Sequence, residues 1–166
     1  MIRPVTCTID VPQSRERVFE HLDVLADHER FTDHFLVEWS VSGPRRGVGA
    51  RARMRVKKPG RADWLEMEVV AAEPPSRSVE ESVGARGRRL TRGTYTLEPT
   101  AAGGTRISFT LAWLRAPLGE RLIAPLTRAV TRRANARSLR RLADELALAE
   151  LDFDRNEPQP DKEGKR

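Results

Sequence analysis

Near the start of the chain, Val5, Cys7, Ile9 and Val11 alternate with Thr6, Thr8 and Asp10. That is the period of two expected of a strand with one buried face, and it predicts a strand over residues 4–10. Pro12 and Ser14 then punctuate the pattern. Ser14 suits the N-cap of a helix in which Val18, Phe19, Leu22 and Leu25 recur at helical spacing to about Ala26. A second short helix is predicted over 27–32. From Phe35 the period returns to two, broken at Gly43-Pro44, Pro59-Gly60, Pro74-Pro75, Gly84 to Gly87 and Gly103-Gly104. These breaks delimit six strands, over 35–42, 48–57, 62–72, 77–83, 88–98 and 105–114. Their short connections imply antiparallel neighbours, because a parallel pairing needs a longer crossover.

One hairpin tests this pattern for consistency. Closing it at Pro59-Gly60 sets Met54 opposite Leu65 and Ala52 opposite Met67 on one face. On the other face Arg53 then meets Glu66, Arg51 meets Glu68, and Arg55 meets the Trp64 ring. Both faces agree, so the arginine row has a structural role in cross-strand ion pairs and a cation–π contact, worth about 0.2–1 kcal/mol each.

After Leu114 the pattern becomes a long helix, opened by Pro117 and running to about Glu150. Leu118, Leu122, Leu126, Ala129 or Val130, Arg133 or Ala134, Leu139, Leu142 and Leu146 trace its apolar stripe, interrupted around residues 133–137, and Arg128, Arg132, Arg133, Arg137, Arg140 and Arg141 line its outer side. Pro125 either kinks this helix or separates its first turn and a half as a short helix of their own. Residues 1–150 read as one domain, and the polar, proline-containing residues 151–166 as a disordered tail.

Composition narrows the classes. The 166 residues carry 30 Lys plus Arg against 24 Asp plus Glu, a formal charge of +6 and a pI of about 10.4. Arginine makes up 26 of the 30 cations, spread along the chain and interleaved with acids, while aromatics are only 5%. A solvated surface explains this better than a nucleic-acid footprint, which concentrates cations and stacking aromatics on one face. No apolar run approaches the roughly 18 residues of a membrane-spanning helix. The opening residues lack a secretory layout, and the single Cys7 closes no internal disulfide, so a cytoplasmic location is expected.

A strand, two short helices, six antiparallel strands and a long terminal helix resemble the helix-grip fold of the START, polyketide-cyclase and birch-pollen-allergen superfamily (SRPBCC). The resemblance covers residues 1 to about 148. It rests on Ile9-Asp-Val-Pro-Gln-Ser-Arg-Glu-Arg-Val-Phe19, Gly47-Val-Gly49, Gly93-Thr-Tyr-Thr-Leu-Glu-Pro99, Gly103-Gly-Thr-Arg-Ile107 and Pro117-Leu-Gly119, taken in order. It implies an α+β fold in which a strongly bent antiparallel sheet of about seven strands wraps the last helix around a pocket. The inward face looks underfilled by the same reading, with Ala50, Ala52, Ala71 and Gly93 at or near inward positions. Trp39, Met54, Leu65, Met67, Tyr95, Phe109, Leu111 and Trp113 supply an apolar wall, faced across the pocket by Leu122, Leu126 and Val130. Two indoles and one phenol are the polar handles of such a concave apolar site. The plainer alternative is that these residues simply pack on the helix.

Few residues offer chemistry. Glu81, between Val79 and Val83, is expected to face inward as a carboxyl in apolar surroundings, fit for general acid or base work, unless a bulge near Gly84 turns it out. Tyr95 is the expected hydrogen-bond donor to a ligand carbonyl, and Arg89 and Thr91 share its parity. His21, His28 and His34 lie at spacings that force no metal site and are expected to be exposed to solvent. Cys7 reads as a small buried hydrophobe. No phosphate loop, nucleophile elbow or zinc-type cysteine pair occurs, so no cofactor is expected.

Three functions fit. The leading one is a carrier or sensor that binds a lipid, a quinone or a polyketide-like aromatic. The second, which the resemblance allows, is a polyketide cyclase, aromatase or dehydratase acting in the same pocket. The third is an interaction module whose arginine-rich helix side meets an acidic protein, an anionic membrane or nucleic acid.

Overall fold

Seven strands pair into one antiparallel sheet in the order β1-β7-β6-β5-β4-β3-β2. The computed structural model describes residues 1–58, 60 and 62–156, with side chains to residue 151. The strands are β1 (Val5–Val11), β2 (Leu36–Ser42), β3 (Arg51–Val56), β4 (Asp63–Glu73), β5 (Arg77–Gly84), β6 (Arg89–Pro99) and β7 (Thr105–Arg115). Between β1 and β2 lie α1 (Arg15–Leu22), a 3-10 turn (Leu25–Asp27) and α2 (His28–Thr32). After β7 come α3 (Leu118–Leu122) and α4 (Ala124–Asn156). This is the α+β helix-grip fold that the order of elements predicts.

Local chemistry sets the element ends. The Ser14 hydroxyl accepts from the Arg17 N–H at 3.3 Å and caps α1. The β3–β4 register is the expected one, with Met54 opposite Leu65 and Arg51 opposite Glu68. Arg51 Nε donates to Glu68 Oε2 at 3.0 Å. The other two arginines differ from expectation: Arg53 lies over the Trp64 ring at 4.5 Å, and Arg55 Nε donates to Glu38 of β2 at 2.8 Å. A middle strand has two neighbours, and β2 offers Arg55 a carboxylate where β4 offers it only a ring.

Pro125 falls in the first turn of α4, where its missing N–H breaks no helical bond, so the chain takes the separate-helix alternative and turns at Ile123. Helix α4 runs past Glu150, the expected end of the helix, to Asn156. The segment Leu146-Ala-Leu-Ala-Glu-Leu151 consists of strong helix formers, and the first proline comes only at Pro158. Residues 157–166 of that expected tail lie outside the described residues. Among the described residues no helix is long and apolar enough to cross a membrane.

The main core gathers β1, β6, β7, α1 and the middle turns of α4. Val5, Val18, Ile107 and Leu142 are fully buried, and Leu139 and Leu146 nearly so. Polar stitches hold α4 in place: Gln13 Nε2 donates to Glu150 at 2.7 Å, His34 Nε2 donates to the Ala134 carbonyl at 3.1 Å, and Arg141 pairs with Asp33. The expected apolar stripe is therefore real only in its second half. Leu118 and Leu122 are 72% and 84% exposed, because the break at Ile123 resets the helical phase of α3 relative to α4.

These two ends of the stripe predict opposite costs. Leu142→Ala is expected to destabilise the fold by about 2–5 kcal/mol through the cavity it leaves. Leu122→Ala is expected to stay within about 0.5 kcal/mol of the parent. Urea unfolding of both variants checks this, and equal losses would contradict the placement of α3.

Candidate functional site

The row of α4 that faces the sheet changes character along its length. Leu139, Leu142 and Leu146 close the core, whereas the preceding turns present Thr127, Thr131, Ala134, Asn135 and Ser138. These short side chains do not reach the curved sheet. The gap is a cavity of about 480 Å³, within the size range of small-molecule sites.

The structure brings most of the expected wall together around this space. Trp39, Leu65, Met67, Tyr95, Phe109, Leu111 and Trp113 line it from the sheet, and Leu126 and Val130 from α4. Gly93 lies on its floor. Arg89 and Thr91 line it too. Ala50, Ala52 and Met54 do not. They are 2%, 4% and 0% exposed in a second small core with Leu25, Leu36 and Val69, because the 3-10 turn and β2 cover that end of the sheet. Ala71 sits at a bulge in the β4–β5 ladder and also lies outside the lining. Leu122 points away from the cavity, for the phase reason given above. The Trp39 indole is not free for a ligand, since its N–H donates to the Leu36 carbonyl at 3.3 Å.

Glu81 is the main correction. It faces outward, and Arg92 Nε donates to its carboxylate at 3.0 Å. The inner row of β5 is Ser78, Glu80 and Ser82, buried opposite Tyr95, Gly93 and Thr91 of β6. The valines Val79 and Val83, which made Glu81 look inward, belong to the other face. The carboxyl in the pocket is its neighbour, Glu80. A signal for it existed: closing the β5–β6 hairpin over Ala85–Arg88 with Tyr95 inward puts Glu80 opposite Gly93.

Glu80 lies flat across that glycine. A Cβ at position 93 would meet Glu80 Oε1 at 2.9 Å and Phe109 Cε2 at 3.0 Å, so the missing side chain makes room for the carboxyl. Burial pushes the Glu80 pKa up to about 7. The carboxyl is thus partly protonated at neutral pH and can donate as well as accept. His28 Nδ1 stands 3.8 Å from Glu80 Oε2, while its Nε2 donates to the Leu22 carbonyl at 2.8 Å. Burial lowers the His28 pKa to about 4, so the ring beside the carboxyl is neutral and its bare nitrogen faces Glu80. Tyr95 stands diagonally across the ladder from Glu80, edge-on to His28 at 5.9 Å between ring centroids. Burial, then the Glu80 charge, hold its phenol well above the ordinary value. Asn135 adds a buried Nδ2 with no hydrogen-bond partner.

The three histidines were expected to be exposed to solvent, but α2 lines the cavity and packs on α4, and α1 meets α4 through His21. His28 is 4% exposed, His21 Nε2 lies 3.3 Å from Glu145 of α4, and His34 bonds α4 as described. Cys7 is buried as expected, its thiol 3.5 Å from the Arg132 carbonyl.

A charged network closes one end of the cavity. Arg89 Nη1 and Lys58 Nζ each donate to Asp63 Oδ2 at 2.9 Å, and Arg89 Nε donates to Glu120 of α3 at 2.9 Å. A second depression, about 670 Å³, lies on the outer face of the sheet among Arg53, Trp64, Glu66, Arg86 and Arg88. It is larger, but half of its lining residues are charged, and of the polar groups described above it shares only Lys58 and Asp63, not Glu80, Tyr95, His28 or Asn135.

Comparison with known proteins gives one family and one fold. A family model described as "Polyketide cyclase / dehydrase and lipid transport" matches residues 4–147. No curated protein matches. Among solved structures, TTHA0849 from Thermus thermophilus is 20% identical with a TM-score of 0.69, covering 89% of this chain and 99% of that one. The Zhui aromatase/cyclase from Streptomyces sp. R1128 is 17% identical with a TM-score of 0.67, over 87% and 93%. Ara h 8.0201 is 11% identical with a TM-score of 0.64, over 87% and 97%. At these identities the likeness is one of fold.

Glu80 and His28 give stability opposite pH dependences. The raised Glu80 pKa means its contribution is full below the carboxyl's ordinary pKa and is lost as pH rises through about 7. The lowered His28 pKa means its contribution is full above the ordinary imidazole value and is lost as pH falls through about 4. Glu80→Gln removes the first effect alone. Its melting temperature relative to the parent is expected to rise between pH values of about 5 and about 8. A constant offset across that window would mean that the Glu80 carboxyl is not buried.

Proposed function

The chain belongs to the polyketide cyclase / dehydrase and lipid transport family, and on that premise we propose that it binds a hydrophobic small molecule in the cavity between sheet and α4. The observation that carries this reading is the lining itself. Leu65, Met67, Phe109, Leu111, Trp113, Leu126 and Val130 offer apolar contact around one polar end, where Tyr95, Glu80 and Asn135 have no hydrogen bond to another described residue. A buried amide left without a partner, as at Asn135, costs desolvation, and Glu80 has beside it only the neutral His28 ring, 3.8 Å away. A ligand carbonyl or hydroxyl placed there would satisfy them. The mostly neutral character of that end favours a ketone, quinone or ester over a carboxylate, which the Glu80 carboxylate form would repel. Lipids, quinones and polyketide-like aromatics all fit this description, and the role is that of carrier or sensor.

Glu80 favours a second reading. A carboxyl with a pKa of about 7, beside a ligand carbonyl, is suited to donating and removing protons at neutral pH. With Tyr95 polarising the carbonyl, the same pocket would support cyclisation or dehydration of a poly-ketone chain, with Glu80 in the acid–base role that the alternation of β5 suggests for Glu81. Fold alone does not separate carrier from enzyme.

Native mass spectrometry of the purified protein, followed by organic extraction, should find a bound apolar molecule. Titration with the fluorophore 1-anilinonaphthalene-8-sulfonate provides the quantitative test. Ala134→Trp fills the cavity from α4 and is expected to weaken fluorophore binding at least about tenfold with the fold intact. Unchanged binding would refute the cavity as the site. Glu80→Gln separates the two readings: it should leave fluorophore affinity within a few fold, and for an enzyme it should abolish turnover of a β-ketone substrate.

A further inference from the structure

The arginines of this protein fall into two populations. Five on the strands pair with carboxylates, Arg51 with Glu68, Arg55 with Glu38, Arg77 with Glu73, Arg92 with Glu81 and Arg106 with Asp10, and Arg53 lies over the Trp64 ring. Those along α3 and the first half of α4 do not pair with carboxylates, with one exception. Residues 121–143 contain seven arginines, at 121, 128, 132, 133, 137, 140 and 141, and no acid. Among the described residues only Arg141 of these forms an ion pair, with Asp33. Arg128 Nε donates instead to the Arg3 carbonyl at 3.2 Å.

Beside this unpaired charge lies an exposed apolar edge. Leu118, Leu122, Ile123, Leu126 and Val130 are 72%, 84%, 52%, 60% and 61% exposed, five large aliphatic side chains within 13 residues of chain. Helix α3 has no buried residue and is tied to the sheet through the Glu120–Arg89 bridge. A monomer gains nothing by presenting such a strip to water. Ile123, Leu126 and Val130 also line the cavity, so the strip forms one lip of its mouth, with Lys57 and Lys58 among the other lining residues.

We propose that this edge, α3 together with the first turns of α4, is a docking surface for an anionic lipid bilayer. Leucines inserted at the headgroup boundary and arginines held at the phosphate level form the pattern of an interfacial helix. Charge complementarity selects an anionic surface. A bilayer is favoured over an acidic protein because the mouth opens at the same edge, where an apolar guest would pass between membrane and cavity without crossing water. That choice of partner rests on the binding reading, whereas docking itself requires no guest and can be tested without one.

The test is flotation of the unliganded full chain with vesicles of phosphatidylcholine, alone or mixed with phosphatidylglycerol. Binding is expected to the mixed vesicles only, weakening as salt is raised. Leu118→Ser with Leu122→Ser, two residues outside the cavity lining, should reduce it about tenfold, as should Arg128→Gln with Arg132→Gln and Arg133→Gln, each at unchanged melting temperature. No binding to the mixed vesicles, or equal binding to both kinds, would overturn the proposal. Leucine variants that bind as the parent does would also overturn it, leaving surface adsorption without insertion. So would a dimer in sedimentation velocity that Leu122→Ser dissociates while vesicle binding is absent, because the strip would then belong to a second copy. Loss of fluorophore binding in the cavity with vesicle binding intact would refute the ligand reading and leave docking standing.

Discussion

Everything distinctive about this fold depends on how far α4 packs against the sheet. A helix gripped along its whole length would need large apolar residues at every inward position, and only Leu139, Leu142 and Leu146 meet that need. The turns before them carry threonine, alanine, asparagine and serine toward the sheet, so contact ends and a cavity begins. The helix does not collapse inward because its later turns are held by the core and by bonds from Gln13, His34 and Asp33. Cavity size is thus set by side-chain length on one helix and by the anchoring of that helix elsewhere.

The polar floor depends on a comparable local arrangement. A glutamate on the inner face of a sheet is expensive, and its carboxyl needs space as well as proton-sharing neighbours. Gly93 supplies the space, directly across the ladder. His28 supplies a neutral nitrogen whose other ring position is committed to the Leu22 carbonyl. The result is a carboxyl whose pKa burial raises to about 7, suited to both giving and taking a proton.

Much of this was legible in the sequence, and what was not failed for identifiable reasons. Strand positions and the β3–β4 register follow from alternation, because both faces of that hairpin obey it. The β5 strand inverts the rule: its valines face out, and Ser78, Glu80 and Ser82 face in. Hydrophobic alternation assigns such a strand to the wrong face, and only pairing with β6, where Tyr95 marks the inside, corrects it. The hollow was expected from Ala50, Ala52, Ala71 and Gly93, of which only Gly93 lines it; small residues make a cavity only where nothing covers them, and Leu25 and Leu36 cover Ala50 and Ala52. Its actual cause lay in the short inward side chains between Thr127 and Ser138, of which the pattern shows only an interruption of the stripe around 133–137. Burial of the histidines was not legible because it depends on α1 and α2 lying against α4, a tertiary fact.

The same distinction between paired and unpaired groups organises the charge. A net charge of +6 spread evenly would say little about function, since exposed ion pairs contribute roughly 0–1 kcal/mol and mainly solubilise. On the sheet Arg51, Arg55 and Arg92 are used in that way, each against a carboxylate on a neighbouring strand, while Arg53 covers the Trp64 ring. Along α4 Arg128, Arg132, Arg133, Arg137 and Arg140 form no ion pair among the described residues, which costs the isolated molecule self-repulsion along the helix. The excess therefore sits on the element that also borders the cavity and adjoins the exposed leucines of α3. Two features unfavourable in water, bare aliphatic side chains and like charges in a row, coincide at one edge, and an anionic apolar boundary is the environment in which both become favourable.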